Sequence, residues 1–285
     1  MCSILKFAKK RLMKQILILC LLALLSSVAS AQTYKELSDR AVAYAEQDSL
    51  KQAEVFLLEA LKLEPKNPHN ALLFSNLGLV QRKMGRYDDA IESYTFALNI
   101  APLAVPILLN RGAIYLEKGM TDRAYVDYCQ VLDKDKVNTE ALLMRAYIYT
   151  LRRDYKAARI DYDRLLELDP QSYSGRLGLA TIEQKEKKFR ESLNILNRLL
   201  VEHPEDATLY VARAGVEQEM GHTDLAMVDL EEALRLDPAS IEAYLIRGEL
   251  YLVQKKKSLA RQDFEKAISL GVPPADVRDQ LQQCK

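Results

Sequence analysis

A small residue returns every 34 positions along most of this chain: Ala90, Ala124, Ala158, Ser192, Ala226 and Ala260, with Ala53 one 37-residue step earlier. Twelve residues before each stands another small residue, namely Ala41, Gly78, Gly112, Ala146, Ala180, Ala214 and Gly248. Four residues after come Leu57, Tyr94, Tyr128, Tyr162, Leu196, Leu230 and Phe264, and seven after come Ala60, Ala97, Val131, Leu165, Leu199, Ala233 and Ala267. The i, i+4, i+7 spacing is one buried face of a helix. The small columns belong where two antiparallel helices cross too closely for a larger side chain. Twelve positions after the alanine column, five of the seven copies carry proline, Pro65, Pro102, Pro170, Pro204 and Pro238; the other two carry Lys136 and Val272. Proline lacks an N–H and turns the preceding residue away from helical geometry, so it stops the second helix. Gly85, Gly119 and Gly221 supply a turn inside the unit. Each copy therefore reads as helix, turn, helix, stop, and the chain as all-α.

A 34-residue unit of this kind resembles the tetratricopeptide repeat family. The second copy shows the resemblance most fully, in Phe74, Leu77, Gly78, Gly85, Tyr87, Ala90, Tyr94, Ala97 and Pro102. The resemblance implies a right-handed superhelical solenoid of about seven units, 34–67, 71–104, 105–138, 139–172, 173–206, 207–240 and 241–274, followed by a capping helix over 275–285. In that tail Val277 and Leu281, at i, i+4, can cover the last apolar face. The sequence departs from the family pattern at Ser192, at Lys136, in three residues inserted after the first unit, and where Phe74, Leu108, Leu142, Tyr210 or Tyr244 replaces the usual early tryptophan.

One pair of columns carries charge. Arg111 with Asp127, Arg145 with Asp161, Arg213 with Asp229 and Arg247 with Asp263 recur at a spacing of 16, whereas Leu77 stands with Ser93 and Leu179 with Ile195. In the first unit Arg40 faces Phe56. Charges that come and go together predict a partly buried, hydrogen-bonded ion pair joining the two helices of a unit.

The first 31 residues differ in kind. Lys6, Lys9, Lys10, Arg11 and Lys14 precede an apolar run from Gln15 to Leu25, and small residues at Ala29 and Ala31 precede Gln32. This is the layout of a secretory signal peptide cleaved after Ala31, and Met13 could open an equally complete leader. The apolar run is shorter than the roughly 20 residues that span a bilayer, so no membrane span is expected after cleavage. The expected location is the periplasm or the exterior. Removing the leader leaves 35 basic against 40 acidic residues. Nucleic-acid binding depends on clustered cations, and no basic stripe remains. Of four cysteines, Cys129 and Cys284 stay. They are too few for a zinc site and too far apart in repeat register for a bridge to each other; an intermolecular bridge stays open.

No catalytic motif is present. His69, His203 and His222 stand near predicted turns, and none lies four residues from another as a helical metal site needs. His-Glu-x-x-His, Gly-x-Ser-x-Gly, a phosphate-cradling loop and Cys-x-x-Cys are all missing. The expectation is a protein without enzymatic activity, cofactor or metal.

What the resemblance implies instead is a groove lined by the first helix of each unit. Transferred column by column, it comprises Asn76 and Leu79; Leu109, Asn110 and Ala113; Leu143 and Tyr147; Leu177 and Thr181; Val211; and Leu245 and Glu249. The carboxylate-clamp columns of the family hold Ser38, Val42, Asn76, Pro106 and Asn110, so that clamp is largely missing. A mainly apolar groove with an aromatic suits a partner helix or extended apolar segment. The expected function is a scaffold or adaptor for a protein or peptide in the bacterial envelope. The alternative is a structural protein that associates with itself as a homo-oligomer.

Overall fold

The computed structural model describes residues 33–285, so the leader lies outside the described residues. Fifteen helices follow, with no strand among the described residues. Counted as hairpins, they are α1 (33–46) with α2 (Leu50–Leu63), α3 (Asn70–Lys83) with α4 (Tyr87–Ile100), and α5 (Val105–Glu117) with α6 (Thr121–Lys134). Then come α7 (Thr139–Leu151) with α8 (Tyr155–Leu168), α9 (Tyr173–Lys185) with α10 (Phe189–Glu202), α11 (Ala207–Glu219) with α12 (Thr223–Leu236), and α13 (Ile241–Val253) with α14 (Lys257–Ser269). The last is α15 (Arg278–Gln283). The chain divides into two compact units, one ending at Lys136 and one running from Val137 to Lys285.

One turn closes all seven hairpins. In α3–α4 the Arg86 N–H donates to the Gln81 carbonyl around Gly85, whose φ is 75°. The same six-to-one bond runs from Ser49 to Tyr44, Met120 to Tyr115, Asp154 to Tyr149, Lys188 to Glu183, His222 to Glu217 and Lys256 to Tyr251. This is the Schellman closure of a helix carboxyl end, and it needs one residue in the left-handed region. Gly85, Gly119 and Gly221 meet that need without strain, but Asp48, Arg153, Lys187 and Lys255 adopt φ of 56–61° with a side chain attached. Several helices start from a capped end. Asn138, Asp154, Ser172, Asp206 and Ser240 each accept a hydrogen bond from a backbone N–H two or three residues on.

The small columns sit under aromatic rings. A Cβ at Gly78 would come within 2.9 Å of the Tyr94 ring, at Gly112 within 3.0 Å of Tyr128, and at Gly248 within 2.8 Å of Phe264. Where the unit's own small residue is Ala146, the ring of Tyr162 reaches past it to the next hairpin; a Cβ at Gly178 would lie 2.6 Å from the Tyr162 hydroxyl. Ser192, the departure in the alanine column, is fully buried and donates its hydroxyl to the Ala180 carbonyl at 2.8 Å. The inserted residues after α2 have their own fastening: buried Asn70 donates to the Glu64 carbonyl at 2.7 Å and accepts from the Tyr34 hydroxyl at 2.9 Å. At the other end, Val277 and Cys284 are buried against Ala260 and Phe264, with Leu281 partly buried beside them.

Four ion pairs stand where the charged columns predict them. Arg111, Arg145, Arg213 and Arg247 each donate Nε and Nη2 to the two carboxylate oxygens of Asp127, Asp161, Asp229 and Asp263, at 2.6–2.9 Å. The aspartates are almost fully buried and the arginines partly so. Two of these arginines also reach back to the preceding hairpin: Arg111 donates to Thr95 at 3.1 Å and Arg213 to Asn197 at 2.7 Å.

Candidate partner-binding surface

The first helices of the hairpins present their less buried face in register, and the candidate residues fall on it in two groups. In the first unit Leu79 is 42% exposed and Asn76, Leu109, Asn110 and Ala113 are half-buried. In the second, Tyr147 is 47% exposed and Glu249 is exposed, while Thr181 turns its hydroxyl back to the Leu177 carbonyl at 2.9 Å. Glu249 accepts from Gln218 at 3.1 Å. The remaining four lean inward: Val211 is a core residue at 4% exposure, Leu143 packs beside Ala146 and Ile182, Leu177 beside Ala180 and Leu209, and Leu245 beside Phe264. These four form the base of the face in the second unit, where Tyr147 is the exposed apolar candidate, and Leu79 is its counterpart in the first unit. Burial follows from the helical spacing, because the column three residues before the small column turns toward the neighbouring hairpin.

Polar straps cross this face between neighbouring first helices. Arg82 pairs with Glu117 from α3 to α5, Gln184 donates to Glu219 at 2.6 Å from α9 to α11, and Gln218 donates to Glu249 from α11 to α13. Between α1 and α3 there is instead an open recess of about 230 Å³. Its walls are Ala41, Val42, Ala45, Leu57, Leu79 and Val80, and its polar groups are Glu46, Asn76 and Lys83. Elsewhere charge is concentrated between hairpins. Arg159 on α8 holds Glu183 of α9 at 2.5 Å and Glu186, just past the end of α9, at 2.7 Å, and these hydrogen bonds raise its pKa. Among the described residues no group of three or more His, Cys, Asp or Glu side chains is placed to hold a metal, and no helix is long and apolar enough to cross a membrane.

Comparison with known proteins decides the family. Profiles described as tetratricopeptide repeat match residues 71–102, and 127–173 with 216–273. The crystal structure of a tetratricopeptide repeat protein from Parabacteroides merdae is 35% identical, with a TM-score of 0.79 over 89% of this chain and 99% of that one. This chain belongs to the tetratricopeptide repeat family. Two further solved structures share the fold alone. PilF of Pseudomonas aeruginosa is 18% identical with a TM-score of 0.62 over 78% of this chain and 99% of its own. A chain of the Cut9–Hcn1 hetero-tetramer is 14% identical with a TM-score of 0.66 over 88% of this chain and 52% of its own. No curated protein matches the sequence.

As a tetratricopeptide repeat protein, the chain is an all-α repeat solenoid, an architecture that serves as a scaffold for protein–protein interaction. Column reasoning placed the exposed positions Leu79 and Tyr147 but did not anticipate the straps or the recess. Those depend on which long polar side chain happens to stand at the carboxyl end of each first helix, a position outside the repeat pattern.

Proposed function

We propose that this tetratricopeptide repeat protein is a non-enzymatic adaptor of the bacterial envelope, exported by its first 31 residues, that holds a peptide or helix of a partner protein along its first helices. The observation that carries this reading is the exposed apolar side chains at one register position of the first helices, Val42 and Leu79 in the first unit and Tyr147 in the second. Exposed aromatic and aliphatic groups on a rigid helical scaffold gain by desolvation against a partner, with no ordering cost to the scaffold. A second reading, self-association, draws on another column: Val55, Val126, Ile160 and Val228 are 51–64% exposed on the second helices.

The test is crosslinking in cells followed by affinity capture, with wild type beside Tyr147→Glu. Tyr147 is the position to change because charging half-buried Leu143 would disturb the core beside it. A partner held by wild type and lost with Tyr147→Glu supports the adaptor. Recovery of the protein alone, together with a mass that rises with concentration, favours self-association. The mass of the mature protein tests export, which predicts a chain beginning at Gln32.

A further inference from the structure

The recess between α1 and α3 differs from the strapped neighbours α3–α5 and α9–α11 for a reason that the register makes plain. Ala45 stands where Arg82 and Gln184 stand in later hairpins, and Lys83 stands where Glu117 and Glu219 receive those arms. The strap is therefore missing one side, and Lys83 is left exposed without an ion pair among the described residues. Between α7 and α9, where no such strap occurs among the described residues, Tyr162 of α8 packs with Ala146 of α7 and Ile182 of α9, its ring against Gly178. The α1–α3 recess has neither, and about 230 Å³ stays open over walls of Ala41, Val42, Leu57 and Val80. That volume is short of the roughly 300 Å³ at which sites for whole small molecules begin, and it suits a single side chain.

We propose that this recess anchors one bulky aliphatic or aromatic side chain of a partner protein's segment, and that an acidic side chain of the same segment pairs with Lys83. The proposal rests on the adaptor reading above and names the chemistry of the partner. The acid completes from outside the strap that Ala45 cannot form from within: in later hairpins a polar arm meets a carboxylate across this gap, and here the protein supplies the cation. Asn76, whose amide lines the same recess, can donate to and accept from the segment's backbone. Glu46, on the same rim, repels a second carboxylate, so the segment carries one acid beside its apolar anchor rather than an acidic run. Burying the anchor supplies the affinity, and the partly shielded charge pair supplies the selectivity.

The probe is an array of 12-residue peptides, acetylated and amidated so that no terminal carboxylate is present. Each has one Leu or Phe in an Ala and Ser background and Glu, Gln or Lys at one of the flanking positions. The purified protein should retain the best Glu peptides roughly tenfold more strongly than their Gln or Lys counterparts. Ala45→Glu, which rebuilds the strap onto Lys83, should abolish retention. Lys83→Glu, at an exposed position that keeps the fold intact, should reverse the preference to Lys. Wild type without a preference for Glu, or both variants with the wild-type pattern, overturns the proposal. So does a mass that falls on Ala45→Glu without peptide, which would assign the recess to a second copy. If crosslinked capture of a partner survives Ala45→Glu but not Tyr147→Glu, the anchor is refuted while the adaptor reading stands.

Discussion

Arg213 and Asp229 meet through two parallel hydrogen bonds, Nε to Oδ2 at 2.7 Å and Nη2 to Oδ1 at 2.6 Å, which fasten α11 to α12. These bonds hold the Arg213 pKa above its ordinary value against the opposing effect of burial. The aspartate side chain is 7% exposed and the arginine 26%, so removing one partner strands the other out of water. Asp229→Ala is expected to cost about 2–3 kcal/mol, below the range for a fully buried pair because the guanidinium keeps some solvent. The double change Arg213→Leu with Asp229→Ile copies Leu179 and Ile195 of the preceding hairpin and should fall within about 1 kcal/mol of wild type. Urea unfolding of the three proteins checks both.

Gly178 and Gly215 should respond oppositely to alanine. At Gly178 the new methyl would overlap the Tyr162 ring, at an expected cost of about 1–3 kcal/mol. At Gly215 the nearest neighbour would be Gln184 Nε2 at 3.6 Å, in ordinary contact, so better helix propensity should stabilise by about 0.5–1 kcal/mol. Thermal unfolding followed by circular dichroism separates the two.

Lys187 closes the α9–α10 turn at φ 61°, a geometry that Gly221 adopts in the next hairpin. Lys187→Gly removes the Cβ strain while loosening the unfolded chain, and should leave a net gain on the order of 0.5–1 kcal/mol. A midpoint in urea unchanged or lowered would contradict the claim of strain at this turn.

Tyr94 is fully buried, and its hydroxyl has no hydrogen-bond partner among the described residues; burial pushes its pKa up to about 12. Its pKa is raised in the folded state, so the unfolded chain loses this proton first. Stability is unaffected below about pH 10, the ordinary tyrosine value, and falls as pH rises from there to about 12. Tyr94→Phe should cost little at pH 7 and should flatten the decline above pH 10, seen in denaturant midpoints measured across that range.

The helices and the close crossings at the small columns were legible because the repeat writes them seven times in one register. The Arg–Asp pairs were legible for a different reason, since two columns that change together imply contact. Tyr162 shows where such reading stops. Its ring packs with Ala146 of its own hairpin and also lies against Gly178 of the next, a contact that its column does not show. Likewise Val211 sits in the groove column by register yet is buried, because that column stands three residues before the small column and turns toward the neighbouring hairpin. The α1–α3 recess follows from a single unrepeated residue, Ala45, which a method built on recurrence passes over.

Arg213 binds Asp229 in its own hairpin and Asn197 in the one before, just as Arg111 binds Asp127 and Thr95. Every such joint is made from residues at the same offsets, so cutting out or copying 34 residues brings equivalent partners face to face again. A deletion of another length inside a hairpin leaves a guanidinium opposite the wrong column, whereas the three residues inserted after the first unit fall between hairpins and disturb no such joint. The chain can therefore gain or lose whole hairpins, and a gene carrying it can change their number by duplication without having to invent a new interface.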